Sequence, residues 1–182
     1  MRSLDDAWAW YKSMRRLVLL IGRLASPGYW DHLPWELLGR DERFKFLEGD
    51  QVERDAASVL SEFDDIAVFV MFSVFESMVR DRVLDEIASE AGSIHHPALI
   101  RAAETLRRNI KEGGFYRNVL DLYKGLDHDL VEQINQIRKY RNWVAHGRRL
   151  EEKPDDIQPS AAFDRLGKFL DLIGGGPVDQ TY

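Results

Sequence analysis

The chain has 182 residues, 45% of them hydrophobic and 31% charged, with a formal net charge of −6 and no cysteine. This length suits one domain with a sizeable core, and the charge content is that of a soluble globular protein rather than a membrane protein. Acidity argues against a general nucleic-acid coating protein, and the lack of cysteine excludes disulfides, thiolate catalysis and cysteine-based zinc sites. The expected compartment is a reducing cytoplasm. Met1-Arg2-Ser3-Leu4-Asp5-Asp6 reaches acidic residues at once, unlike a secretory leader.

Helical spacing runs through nearly the whole chain. Ala7, Tyr11, Met14, Val18, Ile21 and Leu24 predict an N-terminal helix over 3–25, stopped by Ser26-Pro27-Gly28. A connector over 26–50, broken by Pro34, Gly39 and Gly49 and rich in Trp30, Trp35, Leu38, Phe44 and Phe46, reads as packed, with room for one short helix. A long helix follows from Asp50 to Glu90. It carries one stripe of Leu60, Phe63, Ala67, Val70, Val74 and Met78 and a second of Phe72, Phe75, Val79 and Val83. Two stripes suit the centre of a bundle, or a bundle that also dimerises. Its longest apolar run, Ile66 to Phe75, falls short of the roughly 20 residues that span a bilayer.

A more polar helix over 98–112 follows His95-His96-Pro97 and stops at Gly113-Gly114; a short helix runs from Phe115 to Tyr123. Asp127 or Asp129 caps the next helix, which carries Leu130, Ile134, Ile137 and Val144. Pro154 and Pro159 bound a loop, and Ser160 is expected to cap a last helix with Phe163, Leu166, Phe169, Leu170 and Ile173. The reading is one all-α, up-and-down helical bundle over 1–174: the N-terminal helix, the connector and a bundle over 51–174. Residues 175–182 are expected to form a flexible tail.

The most informative segment is Ile137-Arg138-Lys139-Tyr140-Arg141-Asn142-Trp143-Val144-Ala145-His146-Gly147-Arg148-Arg149. The stripe Leu130, Ile134, Ile137, Val144 calls for an apolar residue at 141, yet the residue is arginine. A guanidinium there must meet a carboxylate, a phosphate or a wet cleft. Arginine suits phosphate, and histidine exchanges protons near neutral pH. On an ideal helix the two lie roughly 140° apart, and a break near Gly147 would let the imidazole swing back. Asn142, four residues before His146, is placed to orient it by a hydrogen bond. The plainer alternative is Arg141 paired with a buried carboxylate such as Glu76, and His146 at a helix end.

Ile-Arg-x-x-Arg-Asn-x-x-x-His-Gly after a bundle helix, with a proline-containing loop and a further helix behind it, resembles the HEPN superfamily. The segment Phe72-Ser73-Val74-Phe75-Glu76 resembles that family's acidic helix. The resemblance spans about residues 55–173. It implies a HEPN-type bundle, here with an extra N-terminal helix, that dimerises through its motif helices to form one composite cleft, and for many members metal-independent endoribonuclease activity. Carried over, Arg141, Asn142 and His146 are catalytic, with Glu76 as a fourth member. Arg138, Lys139, Arg148 and Arg149 would bind RNA; neither cofactor nor metal is required. RNA supplies its own nucleophile, the 2′-hydroxyl. A neighbouring guanidinium favours neutral imidazole, the base form. Some toxins of the superfamily have, two places after the histidine, a tyrosine modified by a partner nucleotidyltransferase. Here that position is Arg148, which puts such regulation in doubt.

The partners expected are RNA, a second copy of the chain, and an antitoxin or nucleotidyltransferase. The leading expectation is a toxin or phage-defence ribonuclease. The alternative is a non-catalytic module binding nucleotide, RNA or a protein partner through the same cleft, and a third is a structural dimer with Arg141 tied to Glu76. His95-His96 lacks the spaced third ligand of a zinc site. His32 and His128 are isolated. Asp64-Asp65 and Asp155-Asp156 read as solvated, as does the basic run Arg101, Arg107, Arg108, Lys111 and Arg117. The tryptophans Trp8, Trp10, Trp30 and Trp35 read as packing residues.

Overall fold

The computed structural model describes residues 1–149 and 153–174, and these are helical with no strand. Helix α1, Leu4–Leu24, begins in a capping box: the Ser3 hydroxyl accepts from the Asp6 amide, and the Asp6 carboxylate accepts from the Ser3 amide. In place of the single short helix expected, the connector forms two four-residue helices, α2 (Pro27–Trp30) and α3 (Trp35–Leu38). Pro27 at the start of α2 has the fixed φ that a first turn needs. Trp35 Nε1 donates to the Trp30 carbonyl at 2.9 Å, and their rings meet edge-on.

Helix α4, Gly49–Ala91, is the axis of the fold. α1 runs antiparallel to it, from a Tyr11–Asp64 hydrogen bond of 2.7 Å to a close approach at Gly22. A Cβ on Gly22 would come within 3.3 Å of the Ala56 Cβ, so the two small residues set how near the helices lie. Phe72, Phe75 and Val79 are wholly buried and Val83 nearly so, as the second stripe predicts. Phe72 and Phe75 meet the Phe115 ring edge-on, and Phe75 meets Phe169 at 5.5 Å. The first stripe is less covered: only Ala67 is fully buried, and Leu60, Phe63, Val70, Val74 and Met78 are half-buried.

Helix α5 (Pro97–Glu112) is capped by His96 and buries only Ile110. The expected helix over 115–123 divides into α6 (Phe115–Asn118) and a 3₁₀ turn (Leu120–Tyr123) around Val119, whose φ of −129° leaves the helical region. Helix α7 spans His128–Ala145, and Asp127, of the two candidates, caps it by accepting from the Leu130 amide at 2.9 Å. Helix α8, Pro159–Gly174, corrects one boundary. Pro159 is already helical, so Ser160 lies inside the first turn; proline's missing N–H is no loss at that position. The tail expected over 175–182 lies outside the described residues. No described helix is long and apolar enough to cross a membrane.

One face of the α1/α4 pair stays open. Met14, Leu17, Leu20 and Ile21 on α1 and Val59 and Ile66 on α4 are exposed, and Trp10 and Phe63 join the two rows at a ring distance of 5.0 Å. The covered side, by contrast, carries the stability. Phe75→Ala is expected to lower it by about 3–5 kcal/mol, read as a shifted urea midpoint with an unchanged m-value.

Candidate functional site

α7 lies antiparallel to α4. Its inward residues Val131, Ile134 and Ile137 are fully buried, and Tyr140 and Trp143 nearly so. Each turn of the second half then brings a polar group to α4. Tyr140 donates its hydroxyl to Asp65, Arg141 meets Glu76, and Arg148, just past the helix, meets Glu62 and Asp65.

Arg141 sits where the stripe predicted something polar must be met. Its guanidinium lies over the rings of Phe69 and Phe72, 5.2 and 5.7 Å from their centroids. Nη1 donates to Asn142 Oδ1 at 3.1 Å, and Nη2 reaches Glu76 Oε2 only at 3.5 Å. Nε is buried and has no acceptor. Glu76 is held more tightly from the other side: Arg80 Nη2 and Nε donate to Oε1 at 2.8 and 3.2 Å. Arg80 is itself fixed by the carbonyls of Ile110 and Gly113. One carboxylate thus serves two guanidiniums, leaving a net positive charge and an arginine with spare donors.

His146 is the C-cap of α7 and is exposed. The predicted break occurs immediately after it. Gly147 takes φ +66°, its N–H bonds to the Val144 carbonyl at 3.0 Å, and the Arg148 N–H bonds to the Trp143 carbonyl at 2.9 Å. This is a Schellman turn, with glycine at the left-handed position that disfavours other residues. Among the described residues, no side-chain hydrogen bond of the kind the spacing predicts joins Asn142 to the imidazole; Asn142 accepts from Arg141 through its Oδ1. Its backbone carbonyl accepts the His146 N–H at 3.0 Å instead. Among the described residues, no hydrogen bond joins His146 to Arg141 within one protomer.

The four expected RNA-binding cations differ in their freedom. Lys139 and Arg149 are exposed, and Lys139 shares an open cleft of about 510 Å³ with Gln136, Asn142, Trp143, Lys153 and Asp155. Arg138 bonds Asn135 and lies over Tyr116. Arg148 is committed: Nη1 and Nη2 fork onto Glu62 at 2.8 and 2.9 Å, Nη2 also meets Asp65, and the group lies over the Trp143 ring. Glu62 first and Asp65 second hold its proton more firmly than usual.

The pair Asp64-Asp65, read as solvated, is instead a double anchor, for Tyr11 on α1 and for Tyr140 and Arg148 on the α7 side. The signal was available: two tyrosines on inward faces each need a partner for the hydroxyl. His96 caps α5, Trp8 stacks on Phe163 at 4.9 Å, and Lys153 pairs with Asp156. Among the described residues, no three His, Asp or Glu side chains converge as metal ligands. No protein-family model matches the chain, and no curated protein or solved structure is significantly similar to it.

Burial, with the bond to Asp64 behind it, pushes the Tyr11 phenol from its ordinary 10.0 up to about 12. Burial and Asp65 likewise push Tyr140 upward. A raised folded-state pKa means the stabilisation is complete below pH 10 and is lost as pH rises through about 12. Phenolate absorbance is expected to show delayed titration of these tyrosines, with urea midpoints falling over the same interval; Tyr11→Phe should remove the Tyr11 part.

Proposed function

We propose that this chain is a metal-independent endoribonuclease of the HEPN type, cutting RNA by 2′-hydroxyl attack at a composite homodimer site. The observation that carries the reading is the state of Arg141. It is half-buried, and its Nη2 is only loosely paired with a carboxylate that Arg80 already holds, so its Nη donors keep unused capacity. A phosphate offers the acceptors this guanidinium lacks.

In this mechanism His146 of one protomer takes the proton of the 2′-hydroxyl, whose oxygen attacks the adjacent phosphorus. The partner's His146 gives a proton to the departing 5′-oxygen. The products are a 2′,3′-cyclic phosphate and a free 5′-hydroxyl. Arg141 stabilises the charge that develops on the phosphorane-like transition state. Asn142 and Glu76 hold the guanidinium in plane, and Lys139, Arg149 and Arg138 supply the local positive charge for the backbone. No metal is needed to generate a nucleophile, because the substrate carries one. Such an enzyme acts on cytoplasmic RNA as a toxin or antiviral effector.

The contact surface assigned to the second protomer is the open apolar face of α1 and α4, in place of the motif helix α7 that the resemblance implies. Val59 and Ile66 lie on the same helix as Glu76, and Met14, Leu17 and Ile21 continue that face across α1.

One observation favours a second reading. The Arg141–Glu76 pair also suits a non-catalytic module that binds nucleotide, RNA or a protein partner through the same cleft. Cleavage assays separate the two. His146→Ala and Arg141→Ala are each expected to slow RNA cleavage by about 10²-fold or more with an unchanged circular dichroism spectrum, while EDTA has no effect. Cutting of the matching DNA at an equal rate would overturn the mechanism. Leu17→Glu combined with Ile66→Glu is expected to give a monomer by light scattering, and with it loss of cleavage.

A further inference from the structure

We infer that Arg148 is a positioning residue, which holds the exit turn of α7, and so the placement of His146, by gripping Glu62 and Asp65 on α4. The role of His146 rests on the proposed nuclease reading; the mechanical coupling does not.

His146 occupies the last half-helical position of α7, and among the described residues no hydrogen bond grips its imidazole. The backbone of the turn it stands on therefore fixes where its Cα–Cβ bond starts and points, and with it the region the imidazole can reach. That turn contains the one positive-φ residue other than glycine among the described residues, Arg148 at +60°. An L-residue there is sterically disfavoured and persists where its surroundings over-determine it. Three contacts do so. The Arg148 N–H closes the Schellman turn on the Trp143 carbonyl, its guanidinium lies 5.7 Å over the ring of the same tryptophan, and both Nη atoms are taken by carboxylates. Asp65, largely buried, is in turn fixed by the Tyr140 hydroxyl. Backbone, aromatic ring and ion pairs all pin the same residue, two places after the proposed base.

The geometry also speaks against Arg148 as a phosphate ligand. A guanidinium recognises phosphate through its fork, and here both prongs lie on Glu62, with Asp65 adding to one. The chemistry asks for a planar fork, so lysine is a poor substitute.

The test compares Arg148→Ala, Arg148→Lys, Glu62→Gln and the double variant Glu62→Gln/Asp65→Asn in the full chain. Backbone relaxation at residues 146–148 and the His146 imidazole resonances report the turn without any need for activity. Steady-state cleavage of RNA reports kcat and KM separately. Positioning predicts that Arg148→Ala and the double variant both loosen the turn, with order parameters falling below about 0.6. They should lower kcat by up to about 10²-fold with KM little changed. Arg148→Lys should fall between them and the parent, as should Glu62→Gln, which touches only an exposed side chain and serves should the double variant unfold. An RNA-contact role predicts the reverse: Arg148→Ala raises KM alone, and freeing Arg148 by the double variant lowers KM. That result, or an undisturbed turn in Arg148→Ala, overturns the inference. If the parent cuts no RNA, the nuclease reading fails, and the resonance data still decide the coupling.

Discussion

A permanent cation on the inward face of a core helix is the constraint around which this molecule is arranged. Arginine is a permanent cation, and full burial of one without acceptors costs several kcal/mol. The fold answers with partial measures: two aromatic faces below the guanidinium, an amide oxygen beside it, and a carboxylate shared with Arg80. None of these saturates its donors. That incompleteness separates it from Arg148, whose fork is filled and whose contribution is to geometry. Two arginines seven residues apart thus hold opposite assignments, one kept available and one used up.

Much of the architecture was legible in the residues because helical period is a local property. The long helix, the buried row Phe72, Phe75, Val79 and Val83, and the anomaly at position 141 all follow from counting along one strand of chain. So does the terminating glycine at 147, since a left-handed exit has few tolerable occupants. Boundaries were less legible where two residues compete for a role. Proline at 159 was already suited to begin a helix, and Ser160 was displaced inward.

The site was only half visible for a different reason. Contacts across α4 and α7 join residues such as Asp65 and Tyr140, far apart in sequence, and nothing local records such a pairing. Acidic residues beside each other look solvated until the tyrosines that need them are placed opposite. Helix geometry assigns Asn142 to the histidine four residues ahead, but the side-chain contact it makes is with its neighbour Arg141. Arg148 reads in the sequence as one of four RNA-binding cations, and only tertiary structure shows its fork occupied by carboxylates.

α4 gives these pieces a common frame. Glu62 and Asp65, which anchor the turn after α7, and Glu76, which meets Arg141, lie on one uninterrupted helix. Fourteen residues at 1.5 Å each place the ends of that set about 21 Å apart. The helix therefore acts as a ruler. The separation between the arginine's cradle and the histidine's footing is set by the rise of a hydrogen-bonded rod, and loop flexibility has no part in it.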